Sequence, residues 1–163
     1  MKTGGINIRP MRAADSAAVA GMTRALADFH RDGTSVGEAH LLAHCLGPNA
    51  MGSVLVATAG KRLVGFALCY DWLNVARGVK TRHIDLMFVR AEYRRRGLGG
   101  AMLKALAARA IAEGCVHVTV GALTSNEIAN KFYRGLGFEA RTDSAGNFRL
   151  TEAGLAALAT RGD

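Results

Sequence analysis

The stretch RHIDLMFVRAEYRRRGLGGAM, residues 82–102, constrains the fold of this chain more than any other. RHIDLMFV is an almost continuous apolar run, the pattern of a central strand covered on both faces. An arginine- and glycine-rich turn follows. Leu103, Leu106, Ala107, Ala110 and Ile111 then recur at helical spacing, and Gly114 stands where a helix ends on glycine. CVHVTV, residues 115–120, alternates as the next strand. A strand, a turn at its carboxyl end, a helix and a further strand define a layered unit with a ligand-accessible turn.

The flanking segments extend that layer. Ile6 to Arg9 reads as a strand. AADSAAVAGMTRALADF reads as a helix with Ala18, Met22, Ala25, Leu26 and Phe29 on one face. A second helical stretch from Val36 to Leu46 stops at Gly47 and Pro48. SVLVATAGKRLVGFALCY is a hairpin turning at Ala59, Gly60 and Lys61, and a loop from Asn74 to Gly78 leads into the central strand. TSNEIANKFYRGLGF carries a capping-box pattern at Thr124 and Glu127, a short helix with Ile128 and Phe132 on one face, and a stop at Gly135 and Gly137. FRLTEAGLAALA closes with a strand and a small helix. The order predicts one mixed α/β domain over residues 1–163.

Composition narrows the partners. Twenty-one lysines and arginines against 13 acids give a net charge of +8, which favours anionic ligands. Aromatics are only 6% and no nucleic-acid motif is recognisable, so nucleic acid is the weaker choice. The amino-terminal residues lack the apolar core of a secretory signal and no later run is long enough to span a bilayer, so a cytoplasmic protein without a membrane partner is expected. Cys45, Cys69 and Cys115 show no paired spacing, and His40 and His44 have no third ligand beside them, so no metal is expected.

The turn itself is a candidate anion cradle. Orphan N–H groups and the positive end of the dipole gather at a helix N-terminus. Gly97, Gly99 and Gly100 let the backbone curl close to a phosphate. The dinucleotide fingerprint fails at Met102, and no Gly-Lys-Ser/Thr completes a P-loop. What matches is Arg94-x-x-Gly97-x-Gly99. Together with Asn126, Ala129, Tyr133, Gly137 and Phe138, the segment from Ile84 to Gly100 resembles the GNAT superfamily of acyl-CoA N-acyltransferases, with its closest partial likeness to diamine and small-amine acetyltransferases.

That resemblance implies a largely antiparallel sheet with splayed central strands flanked by helices. It also implies acetyl-CoA as co-substrate, direct attack by a primary amine of a small molecule or peptide, and a homodimer. The coenzyme would lie against Met87, Phe88, Val89, Arg94, Arg95, Arg96, Gly97, Leu98, Gly99, Gly100, Asn126 and Tyr133. Its diphosphate would rest on the backbone of residues 95–100, and a main-chain N–H near Met87 to Val89 would meet the acyl oxygen.

The acceptor amine must be neutral to attack. With a pKa of ~10.4 this costs roughly 4.6 kcal/mol at pH 7, so a base is useful. Asp85, in apolar company, is a candidate base with a raised pKa; the alternative is an aspartate paired with Arg82 or His83. His83 shares a face with Asp85 if the strand is regular. Tyr133 is either the proton donor to the departing thiolate or a core filler. Asn126, seven residues earlier, is within ~20° of it on a helix. Tyr70, Asp71 and Trp72 are acceptor-site candidates or a solvent-facing turn. Two rival readings keep other classes open: a catalytically silent acyl-CoA sensor and a basic nucleic-acid-binding domain.

Overall fold

The computed structural model describes residues 5–30, 33 and 35–139. The closing strand and helix expected from FRLTEAGLAALA lie outside them. Tertiary contacts divide the chain into two units, Met1–Leu123 and Thr124–Asp163.

In the first unit, β1 (Ile6–Pro10), β2 (Gly52–Ala59), β3 (Arg62–Asn74), β4 (Val79–Val89) and β5 (Cys115–Val120) form one sheet in that order. The first three interfaces are antiparallel and β4–β5 is parallel, so the sheet is mixed, as expected. The parallel pair is joined by α3 (Leu98–Ala112), since parallel neighbours need a crossover. Helices α1 (Ser16–His30) and α2 (Glu38–Cys45) precede the β2–β3 hairpin.

The strands of that hairpin and the next are longer than the sequence suggests. β3 runs through Asn74, so Tyr70, Asp71 and Trp72 are strand residues rather than a turn. Counting outward from Asn74↔Val79 places Tyr70 opposite His83 and Asp71 opposite Arg82.

One core cluster joins Val19 and Met22 of α1, Leu41 of α2, Met11 just after β1, and Val54, Val56 and Phe66 of the sheet. The buried stripe of α1 is Ser16, Val19, Met22 and Thr23, while Ala18, Ala25 and Phe29 are exposed. The expected face is thus rotated. Two hydroxyls account for it. Ser16 Oγ lies 2.7 Å from both Ala13 O and Glu38 Oε1, and Thr23 Oγ1 lies 2.8 Å from both Ala20 O and Val36 O. Buried polar atoms satisfied in this way tie α1 to the entry of α2. On α3 the buried residues are Leu98, Met102, Leu103, Leu106 and Ala110, and Ile111 turns outward.

Gly65 sets how closely α3 approaches the sheet. A Cβ there would meet Phe88 O at 2.9 Å and Met102 Sδ at 3.1 Å, distances that real side chains avoid. The Phe88 carbonyl is main chain and cannot yield, so only glycine fits between β4 and the Met102 side chain of α3.

Two ion-pair systems brace the unit. Arg9 holds Asp15 at 2.6 and 3.0 Å. Arg82, 4% exposed, binds both oxygens of Asp71 and also Glu113, while Lys80 adds to Asp71 and Arg109 to Glu113. Hydrogen bonds from Arg9 hold the Asp15 carboxyl below its ordinary value of 3.8, and hydrogen bonds from Arg82 do the same for Asp71 and for Glu113, whose ordinary value is 4.5. A depressed folded pKa contributes stability that is complete above the unfolded value and lost as pH falls through the folded one. The urea midpoint should therefore stay level from neutral pH down to about pH 5 and fall below about pH 4. A midpoint that rises on acidification would contradict these assignments.

In the second unit, α4 spans Glu127–Gly135. Among the described residues no helix is long and apolar enough to cross a membrane.

Candidate active site

The site begins where β4 leaves its neighbour. β5 pairs with β4 only from Lys80↔Cys115 to Ile84↔Val120, although β4 continues to Val89. Residues 86–89 pair with β3 alone among the described residues. This is the expected splay. It leaves the main-chain groups on the outer edge of Leu86 to Val89 available to a ligand.

A bulge falls at the same place. Leu68 pairs with Leu86, but Cys69 pairs with Ile84, so Asp85 is the unpaired extra residue of β4. The strand is therefore not regular. His83 shares its face with Leu86 and Phe88 instead of following simple alternation to Asp85. The Asp85 side chain is exposed and makes no hydrogen bond or ion pair among the described residues. The apolar enclosure that the sequence implies around it is absent, and so is either pairing considered for it. Arg82 goes to Asp71, and His83 Nδ1 lies 2.9 Å from Thr119 Oγ1 on β5.

After Val89 the chain makes a single 3₁₀ turn, Ala91–Tyr93, and then the arginines. Arg94 Nε donates to Val89 O at 2.7 Å, and its guanidinium sits 5.7 Å from the centre of the Phe88 ring. That contact fixes Arg94 against the end of β4. Arg95 and Gly97 adopt left-handed backbone conformations, with φ of +56° and +82°. A left-handed residue at every second position turns consecutive N–H groups toward a common centre, the geometry of an anion nest. The first helical bond of α3 runs from Ala101 N–H to Gly97 O at 3.0 Å. The six N–H groups from Arg95 to Gly100 have no acceptor among the described residues, and Arg94, Arg95, Arg96 and Gly97 are exposed. Leu98 is buried and anchors the turn from beneath.

The second unit holds the two remaining sequence candidates. Asn126, not Thr124, caps α4, its Oδ1 accepting from Ala129 N–H at 3.1 Å. Both residue types cap well, but the helix begins at Glu127, one position beyond Asn126. Tyr133 lies near the other end. Phe138 N–H bonds Tyr133 O at 3.1 Å and Gly137 N–H bonds Arg134 O at 3.0 Å, with Gly137 left-handed. This is a Schellman stop, and the expected apolar contact across it is the edge-on meeting of the Tyr133 and Phe138 rings, 5.5 Å apart. The Y-x-x-x-G-F spacing is thus a device that ends α4 and fixes the tyrosine. Burial pushes the Tyr133 phenol above its ordinary value of 10.0. Ile128, expected on one face with Phe132, is 85% exposed.

Of the acceptor candidates, Tyr70 and His83 stand together with ring centres 5.1 Å apart, and Trp72 is partly exposed on the same face of β3. Asp71 faces the other way. Its two oxygens are held by Arg82 and Lys80.

The sequence matches the acetyltransferase (GNAT) family over residues 19–138, well over half of the chain. The chain belongs to that family. GNAT membership makes it an acetyl-transferring enzyme. A curated relative, thialysine N-epsilon-acetyltransferase of Mus musculus, is 28% identical over 166 residues, spanning 94% of this chain and 97% of the relative. Among solved structures, an integron cassette protein from the mobile metagenome of V. cholerae superposes with a TM-score of 0.79 at 22% identity, covering 96% of this chain and 99% of that one. A ribosomal-protein-alanine N-acetyltransferase from Brucella melitensis gives 0.76 at 22% identity, covering 90% and 99%. These likenesses share the fold.

GNAT enzymes draw their acetyl group from acetyl-CoA, and the turn before α3 fits a diphosphate on its own geometry. It offers unbonded main-chain donors, a helix N-terminus and exposed arginines. Sequence reasoning missed Glu113 and Thr119, which hold Arg82 and His83. Neither lies in a motif, and both reach their partners from elements far along the chain.

Proposed function

We propose that the protein is an N-acetyltransferase that passes the acetyl group of acetyl-CoA to a primary amine on a small molecule or peptide. The observation that carries this reading is the run of six unbonded N–H groups, Arg95 to Gly100, beside the free edge of β4. The nest takes the diphosphate, with Arg95 and Arg96 free to reach further phosphate oxygens. The free edge of β4 at Met87 to Val89 aligns the acyl arm. Bound there, acetyl-CoA supplies an acyl group activated as a thioester.

The chain's own groups do the rest. Tyr133, kept protonated by burial, donates a proton to the departing sulfur. Asn126 still has its amide NH₂ for the coenzyme arm, since only its Oδ1 is used in capping. Asp85, lifted out of the ladder by the bulge, takes the amine proton through water. Its exposure makes it a base in contact with solvent. Tyr70, His83 and Trp72 form an aromatic acceptor wall, and the pairing of Asp71 removes the acid that would best bind a polycation. The thialysine acetyltransferase likeness supports an amine carried by a small amino acid. A homodimer is part of this reading, supported by the exposed Leu73 and Val75 at the tip of the β3–β4 hairpin.

The test is thiol release from acetyl-CoA against a panel of amino acids, diamines, aminoglycosides and peptides. At least one acceptor should give turnover. Coenzyme binding without turnover on any amine would establish the sensor instead. In the same assay Gly97→Ala should raise the KM for acetyl-CoA about 5- to 30-fold. A left-handed residue with a Cβ costs about 1–2 kcal/mol, and no atom within 4 Å crowds that Cβ, so the effect is conformational. An unchanged KM would remove the nest from the binding site.

A further inference from the structure

A cavity lies in the first unit away from the glycine-rich turn before α3. Its volume is about 270 Å³, room for roughly nine waters. Met11, Leu46, Val54 and Leu106 contribute apolar wall, and Arg82 and Arg109 contribute charge. Leu106 and Arg109 sit in the last turns of α3. Ten residues at 1.5 Å put Arg109 roughly 15 Å along the axis from Gly99.

The polar groups at this cavity are not fully matched. Arg82 is buried, and its Nε and Nη2 serve Asp71 and Glu113. Its Nη1, carrying two further N–H donors, has no acceptor among the described residues and keeps contact with solvent, since no fully buried side-chain nitrogen there is left unpaired. Arg109 gives only Nη2 to Glu113. The connected network holds Lys80, Arg82 and Arg109 against Asp71 and Glu113, which leaves one positive charge uncompensated. Cys69 lines the same space.

We propose that this cavity binds a small organic monoanion, a carboxylate on a short apolar body, at a site separate from the coenzyme. A carboxylate accepts from Arg82 Nη1 and Arg109 and cancels the single surplus charge, while its hydrocarbon part meets the apolar wall. A phosphate dianion would overshoot the charge and leave the apolar wall facing water.

Hexanoate is a suitable probe, with 1-hexanol and inorganic phosphate as controls. Calorimetry should show saturable one-to-one binding of hexanoate, unaffected by saturating coenzyme A. Arg109→Leu should weaken that binding about tenfold with coenzyme affinity unchanged, and it spares the buried Arg82 on which folding depends. Cys45 lines the cavity and is only partly buried, so its alkylation by N-ethylmaleimide, followed by mass spectrometry, should slow severalfold when hexanoate is bound. The proposal fails if hexanoate shows no saturable binding, if hexanol or phosphate binds as well, if coenzyme A displaces it, or if Arg109→Leu or the Cys45 reaction is indifferent to it.

Discussion

Tyr133→Phe should lower kcat for acetyl transfer by about 10²-fold while leaving coenzyme A affinity within about twofold. The departing thiolate resembles a free thiol with a pKa of ~8.5, and an ordinary phenol at ~10 can protonate it as the bond breaks. Phenylalanine keeps the ring contact with Phe138 and the helix stop but removes the proton. The loss therefore appears in turnover and not in folding. The pH profile offers a second readout. An acid acts only while protonated, so activity falls as pH rises through its pKa, and burial moves that alkaline limb above pH 10. The variant should lack it. Full activity in Tyr133→Phe would assign the tyrosine to packing alone.

Arg82→Met should destabilise the protein by about 3 kcal/mol, measured as a shift in the urea midpoint at unchanged m. Removing one member of a buried ion cluster strands its partners, a loss usually of 3–5 kcal/mol. The lower end applies because Asp71 keeps Lys80, Glu113 keeps Arg109, and both acids retain some contact with water. Arg82→Lys should recover only part of the loss, since an ammonium cannot reproduce the two-pronged grip on Asp71. A shift below about 1 kcal/mol for Arg82→Met would mean that the cluster is solvated like a surface pair.

Much of this architecture can be read from the residues, and the exceptions share a physical origin. The strand, turn and helix from β4 into α3 are legible because apolar runs, glycines and helical spacing coincide there. The face of α1 is not, because its alanines weigh every direction almost equally and the decision falls to two hydroxyls satisfied by distant partners. The pairing of Asp71 with Arg82 was accessible. Once the loop ends at Asn74 and Val79, counting three residues outward along each strand brings the two together. The bulge was not, because a run apolar on both faces carries no alternation to betray an extra residue. Asp85 accordingly has surroundings that its neighbours in sequence do not foretell.

That extra residue matters by its presence as much as by its carboxylate. Side chains on a strand alternate strictly, so a chain shortened by one at position 85 would swap the facing of everything on one side of the gap relative to the other. Either Leu86 and Phe88 would leave the core they share with Phe66, or Ile84 and Arg82 would leave the opposite layer and the acids that neutralise the arginine. The site's chemistry can thus be altered by exchanging the side chain, whereas the spacing that carries it is fixed by the interior on both faces of the sheet.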